Sequence, residues 1–315
     1  MNVSTVSEPV SLSAPRGADA GLTSKQLADK YGLTVSGRRP GLVAYSKQLW
    51  ARRHFIWAFA TARLVAQYTD AKLGQLWQVV TPLLNCAVFY LVFGVILKSK
   101  DNFPEGTYTA WLCIGVFVFQ FTQNAVQSGT RAIADNLGLI RALHFPRASL
   151  PIAFTVIQLQ QLMISMVVLV GVVLASGIEM GRTWVLVLPA LLLQSAFNTG
   201  VALMMARIGS KTSDISQLIP FAMRAWMFLS GVMFSIQDKI STWPEFWQKV
   251  MQLNPASVYM DLVRHAFAPV IYNKHLPAHQ DFPPHQWKYA IAWAVGMFVV
   301  GYVFFWKAEE EYGRG

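Results

Sequence analysis

The amino-acid sequence predicts an all-α integral membrane protein with six transmembrane helices, and three observations carry that expectation. The chain of 315 residues is 54% hydrophobic and only 13% charged, where a soluble domain carries about a quarter charged residues. Its apolar runs approach the ~20 residues that cross a bilayer core. Its Lys and Arg residues gather at the ends of those runs, where charge sets membrane topology. A net charge of +10 and a pI near 9.7 suit nucleic acid only if the charge forms one patch, and this placement argues against that. Cys86 and Cys113 both fall inside apolar runs, so no disulfide framework is implied.

Residues 1–40 read as a cytosolic N-terminal tail, largely disordered. Met1 to Thr23 is rich in Ser, Ala, Gly and Pro and lacks the continuous apolar core of a cleavable signal peptide. Ser24 is placed as the N-cap of a short helix that Gly32 stops. Residues 41–70 follow as an N-terminal interfacial amphipathic helix. Trp50, Trp57, Leu64 and Tyr68 form one helical stripe, while Arg52, Arg53 and Arg63 forbid a span and suit phosphate headgroups. The spans are expected at about 73–97, 108–127, 150–176, 184–206, 215–234 and 288–306.

Between the second and third spans, Arg131 to Phe145 is too polar to cross and too amphipathic to be a loop. Leu137, Leu139, Ile140 and Leu143 recur at helical spacing, and Pro146 ends the helix. From periodicity alone it lies either on lipid headgroups or against a partner. A second short polar connection, Gly209 to Asp214, follows the fourth span. The Lys and Arg count is highest on the side that holds the chain up to Lys72, together with Arg131, Arg141, Arg147, Arg207, Lys211, Lys307 and Arg314. That side, with both termini, is assigned to the cytosol.

On the opposite side, Trp243 to Phe267 forms two short amphipathic helices divided by Asn254-Pro255. They suit either a re-entrant pair or the outer surface. His275, His279, Asp281 and His285 lie close in sequence, but the intervening prolines argue against a fixed tetrahedral zinc site. The run Glu309 to Glu311 is read as a solvated tail. Gly209-Ser210-Lys211-Thr212 lacks the glycines of a phosphate-binding loop, and no catalytic signature is present. Energy for uphill movement is therefore expected from another chain.

Five runs occur in a fixed order: LGQLWQVVTPLL (Leu73–Leu84), NLGLIRALHFPRASLP (Asn136–Pro151), SDISQLIPF (Ser213–Phe221), SGVMFS (Ser230–Ser235) and LNPASVYMDLVRHA (Leu253–Ala266). As a set they resemble the permease subunit of type-2 ATP-binding-cassette exporters, in the branch that exports lipid-linked polysaccharides such as teichoic acids and O-antigens. The resemblance runs from Gly41 to the end of the sequence. It departs from the common pattern at Ser230-Gly231, where many members carry a proline after the serine, and in its longer N-terminal preface.

The resemblance implies that Arg131 to Phe145 is a coupling helix seated in a cleft of a separate ATPase subunit. Asn136, Leu139, Arg141 and Phe145 are its expected ATPase-coupling residues, with Lys211 and Asp214 supplying a smaller contact. It implies a substrate entrance at Arg52, Arg53, Trp57 and Arg63, and short extracytoplasmic gate helices over Trp243 to Phe267. The expected assembly is two copies of this chain across a two-fold axis, two ATPase copies, a lipid-linked glycan substrate and no nucleic acid. ATP and Mg are expected on the partner subunit. This chain is then a transport subunit of the cytoplasmic membrane without catalytic residues, metal or cofactor of its own.

The path wall is expected to be aromatic and weakly polar, with Trp77, Tyr90, Phe117, Trp226 and Phe228 as candidates. Arg224 is the only Lys or Arg well inside a predicted span, so it is expected to face the bundle interior with a partner. Its planar fork suits phosphate oxygens of a lipid carrier or of the polymer. Two readings of other classes stand beside this one: an integral membrane transferase acting on lipid-linked sugars, and a passive channel or scaffold. The transferase needs separated carboxylates or a His converging near a membrane face, and the sequence offers no convincing set.

Overall fold

The structure is a computed structural model, and it describes residues 23, 26, 30–31, 40–69, 74–143, 145–212, 214–235, 244–273, 282–310 and 312. The chain divides into two units, Met1–Pro40 and Gly41–Gly315. In the first, the Thr23 N–H donates to Gln26 Oε1 at 2.9 Å and the Gln26 N–H donates to Thr23 Oγ1 at 3.4 Å. This reciprocal pair has the hydrogen-bond pattern of a capping box. The expected cap, Ser24, lies outside the described residues, as does most of the tail.

Every regular element described in the second unit is helical. The helices are α1 (Leu42–Ala51), α2 (Arg53–Tyr68), α3 (Trp77–Phe89), α4 (Tyr108–Arg131), α5 (Leu137–Ala142) and α6 (Ser149–Ala175). After these come α7 (Val187–Lys211), α8 (Ile215–Leu229), α9 (Glu245–Gln252), α10 (Pro255–Phe267) and α11 (Gln286–Lys307). α4 is apolar on almost every side over its first half, is buried along most of its length and is the hub of the fold. Helices α3, α6, α7, α8 and α10 pack around it.

The expected single interfacial helix is broken at Arg52, whose ψ of 8° departs from helical values. The residues of the expected stripe do not share one environment: Trp50 precedes the break, and within α2 Leu64 is buried where Trp57 is not. Ile56, Ala60 and Leu64 are buried instead, the last two against Ile157 of α6. Trp50 and Trp57 point outward, 71% and 59% exposed.

Among the described residues, five helices are long and apolar enough to cross a membrane: Trp77–Ile96, where α3 continues as a π-helix, Tyr108–Arg131, Ser149–Ala175, Arg182–Lys211 and Gln286–Lys307. The remaining expected span, 215–234, is occupied by α8, which ends at Leu229 after 15 residues. At 1.5 Å per residue it is about 22 Å long, short of the ~30 Å hydrocarbon core. The chain turns at Gly231 (φ +65°) and buries Val232 and Met233. α7 and α11 approach closely because both present glycine: a side chain at Gly200 would collide with the Met297 carbonyl, and one at Gly301 with the Gly200 carbonyl. Small residues permit this kind of contact between spans.

The two helices of the expected gate segment differ in burial. α9 is exposed, with Phe246 and Trp247 uncovered, whereas α10 buries Val258, Tyr259, Met260 and Val263 completely. Asn254 organises the junction. Its side-chain oxygen accepts the Ala256 N–H at 3.1 Å and the Trp226 Nε1–H at 2.9 Å, and its amide donates to Ser230 Oγ at 3.0 Å.

Candidate functional site

α4 continues past the expected residue 127 to Arg131, and a 3-10 turn at Ala134–Asn136 leads into α5. Asn136 is 8% exposed, and its side-chain amide donates to the Ala132 carbonyl at 2.9 Å. Leu139 and Phe145 pack onto a small core with Tyr45, Ile133 and Phe305. The Phe145 ring lies 5.6 Å from that of Phe55 in α2. Three of the expected coupling residues therefore hold the segment to the bundle. Gly138, Arg141, Ala142 and Leu143 form the outward face. A helix of six residues has room for one inward side, and Ile140 takes it with Leu139.

Lys211 and Asp214 are exposed at the same end of the bundle. Gly209 of α7 abuts the Thr130 carbonyl so closely that a side chain there would collide. Glycine is thus what lets the end of α7 meet the end of α4.

A buried polar cluster fastens this end. The Tyr45 hydroxyl donates to Glu309 Oε2 at 2.7 Å and accepts the Ala148 N–H at 3.1 Å. Glu309 Oε1 accepts the Arg147 N–H at 2.9 Å, and the Arg147 guanidinium donates to the Glu309 carbonyl. Burial raises the Glu309 carboxyl above its ordinary range, opposed by the Arg147 N–H, the Tyr45 hydroxyl and the Arg147 charge. Burial, and then the Glu309 charge, push the Tyr45 hydroxyl up. The reading of Glu309 as part of a solvated tail is corrected: it joins α1, the start of α6 and the end of α11. Its partners are too far away in sequence for a local charge pattern to reveal them.

α3, α4 and α6, together with the end of α2, enclose a cleft of about 360 Å³ on the half of the bundle nearer this end. Of the expected path residues, Trp77 and Phe117 line it, alongside Gln78, Gln120, Asn124 and Gln158. Tyr90, Trp226, Phe228 and Arg224 lie elsewhere. Tyr90 packs 6.1 Å from the Tyr108 ring, and Trp226 meets Phe119 edge-on at 5.9 Å. Arg224 is exposed on the single chain, beside exposed Phe221 and Phe228 of α8. The expectation that it faces the interior of its own bundle is therefore not met, because α8 turns Met223 inward in its place. At the expected entrance, Arg52, Arg53, Trp57 and Arg63 are all exposed, and the Arg53 guanidinium sits 5.4 Å over the Trp50 ring.

Sequence reasoning missed Arg264. It is 1% exposed within α10, and its guanidinium donates to the carbonyls of Trp111, Gly231 and Val232 at 3.3, 3.1 and 3.0 Å. Asp261, one turn earlier, accepts from it at 3.4 Å. That i,i+3 pair inside an apolar helix was the available signal. Of the His-rich stretch, His275, His279 and Asp281 lie outside the described residues.

Residues 54–268 match the family model described as ABC-2 type transporter. The chain is 24% identical over 244 residues to a Myxococcus xanthus protein named O-antigen export system permease protein RfbA, covering 75% of this chain and 87% of that protein. It is 22% identical over 193 residues to a Klebsiella pneumoniae protein of the same name, covering 61% of this chain and 71% of the relative. The family match takes in α5, the cleft and α10, and leaves Tyr45 and Glu309 outside it. With several spans built around α4 and a family match over most of its length, this multi-pass membrane chain belongs to the ABC-2 type transporter family.

Proposed function

We propose that the chain is the transmembrane subunit of an ATP-driven exporter that moves a lipid-linked polysaccharide or teichoic acid across the cytoplasmic membrane. The observation that carries this reading is the similarity to two proteins named as O-antigen export permeases, which covers 75% and 61% of this chain. ATP and Mg bind a separate ATPase, present in two copies beneath two copies of this chain, and both termini are cytoplasmic.

In this reading ATP binding draws the ATPase subunits together, and each pushes on the outward face of α5 at Arg141 and Leu143. The push reaches the spans because α5 is bonded to α4 through Asn136 and wedged against α2 through Phe145, so the elements move as rigid bodies. Arg52, Arg53, Trp57 and Arg63 meet the phosphates of the arriving lipid carrier. Arg224 faces its counterpart copy across the two-fold axis, where its fork holds a phosphate in transit.

Deleting the chain from its own cells tests the reading. The expected result is loss of one surface glycan together with accumulation of its lipid-linked form inside. Reintroduction of the chain should restore export only when the partner ATPase is competent to hydrolyse ATP. Surface glycans unchanged by the deletion would contradict it.

A further inference from the structure

We infer that the cleft between α3, α4 and α6 is a binding site for one uncharged sugar unit of the cargo, recognised through hydroxyl or acetamido groups. This rests on the exporter reading above and adds to it a place and a selectivity. The cleft, at about 360 Å³, falls within the range of small-molecule sites, which begins near 300 Å³.

Its chemistry is unusual for the interior of a span bundle. Among the described residues that line it none carries a charge, while Gln78, Gln120, Asn124, Gln127 and Gln158 present amides to it. Each such amide offers donors and an acceptor on one flat group. That is the complement of a sugar hydroxyl or acetamide, which also gives and takes hydrogen bonds, and a poor complement of a phosphate, which only accepts. Trp77, Phe117 and Phe121 add aromatic faces against which the C–H side of a sugar ring can lie.

The second observation is Gln78. Its side chain is held in place at 3% exposure, yet neither its Nε2 nor its Oε1 has a hydrogen-bond partner in the protein. Its own backbone carbonyl is engaged, accepting from Ser165 Oγ at 3.2 Å. A buried amide without a partner forfeits its hydrogen bonds to water, so such a group calls for an occupant that satisfies it. Loose water is one such occupant. An uncharged sugar is the one that also uses the aromatic faces, and the absence of charge lets it leave again during transport.

Photo-crosslinking in the intact complex tests the site. A p-benzoylphenylalanine residue is placed at position 77, which is 40% exposed, the cells are irradiated, and the purified permease is stained for covalently bound carbohydrate. Carbohydrate on the permease, reduced about tenfold by Gln78→Leu at equal protein and ATPase content, is the expected result. If Gln78→Leu does not accumulate, Gln120→Leu at a half-buried position of the same cleft replaces it. Equal labelling in these variants overturns the proposal, because the sugar is then not held by the amides of the cleft, and so does labelling with the photoprobe at position 226 but none at 77; in both cases the exporter reading stands. An assembled complex that labels at neither position overturns the exporter reading with it.

Discussion

The guanidinium carbon of Arg264 lies 3.6 Å from the centre of the Trp111 ring, so a buried cation of α10 is stacked on the first turn of α4. Three carbonyls and Asp261 surround the rest of it. This one side chain therefore ties α4, the Gly231 turn after α8, and α10. Arg264→Met leaves Asp261 and the carbonyls without their donor, and truncating one partner of a buried pair costs about 3–5 kcal/mol. Lysine cannot reproduce the planar fork or the stacking. Both variants should lower the thermal midpoint of the purified protein, with Lys intermediate. Gly115→Ala should do the same, because a methyl there would run into the guanidinium.

The Glu309 cluster predicts a pH dependence whose sign follows from its raised carboxyl. The folded protein holds the proton to a higher pH than the unfolded chain, so this contribution to stability is complete below the ordinary glutamate range. It is lost as pH rises through the folded-state value. Glu309→Gln removes the titration and keeps an oxygen for the Arg147 N–H. Its thermal midpoint relative to the parent should therefore climb as pH rises from the ordinary glutamate range. A difference that stays flat as pH rises would show that Glu309 is not held in a desolvated site. Glu309→Ala leaves the buried Tyr45 hydroxyl without its acceptor and should destabilise at every pH by about 1–3 kcal/mol.

Around α5, the outward and inward residues should separate in their effects. Leu143→Asp, at a position 49% exposed, should leave a folded permease that co-purifies about tenfold less ATPase, the size expected for a central interface residue. Leu139→Asp and Phe145→Asp place a charge in the small core and should reduce the yield of folded protein itself. Equal co-purification by Leu143→Asp and the parent would remove this face from the contact.

Arg224 offers a graded comparison. Arg224→Lys should retain part of the export and Arg224→Gln should lose most of it, with both complexes assembled and basal ATPase intact. Full export by Arg224→Gln would reduce the residue to a surface arginine.

The sequence disclosed what periodicity and hydropathy encode, and little that depends on contacts between distant segments. The spans around α4, α6, α7 and α11 were legible because their apolar length is set by the bilayer. The end of α8 was not, since apolar residues continue through Val232 and Met233 and only the backbone at Gly231 turns them away. The break at Arg52 escaped notice because neither glycine nor proline marks it. Trp77 and Phe117 were found as aromatics inside spans, but Gln78 and its neighbours read as dilute polarity until α3, α4 and α6 brought them to one cleft. Arg264 and Glu309 owe their roles to partners far along the chain, which no local pattern records.

The most direct test of the account is transport by purified components. The chain and its ATPase are reconstituted together in proteoliposomes, a lipid-linked glycan is supplied on the ATPase side, and its arrival on the other side is followed with an impermeant glycosidase. The account predicts movement that requires ATP and stops when the ATPase is replaced by a hydrolysis-deficient variant. Glycan that crosses equally without ATP, or remains where it was loaded with ATP present, would contradict it.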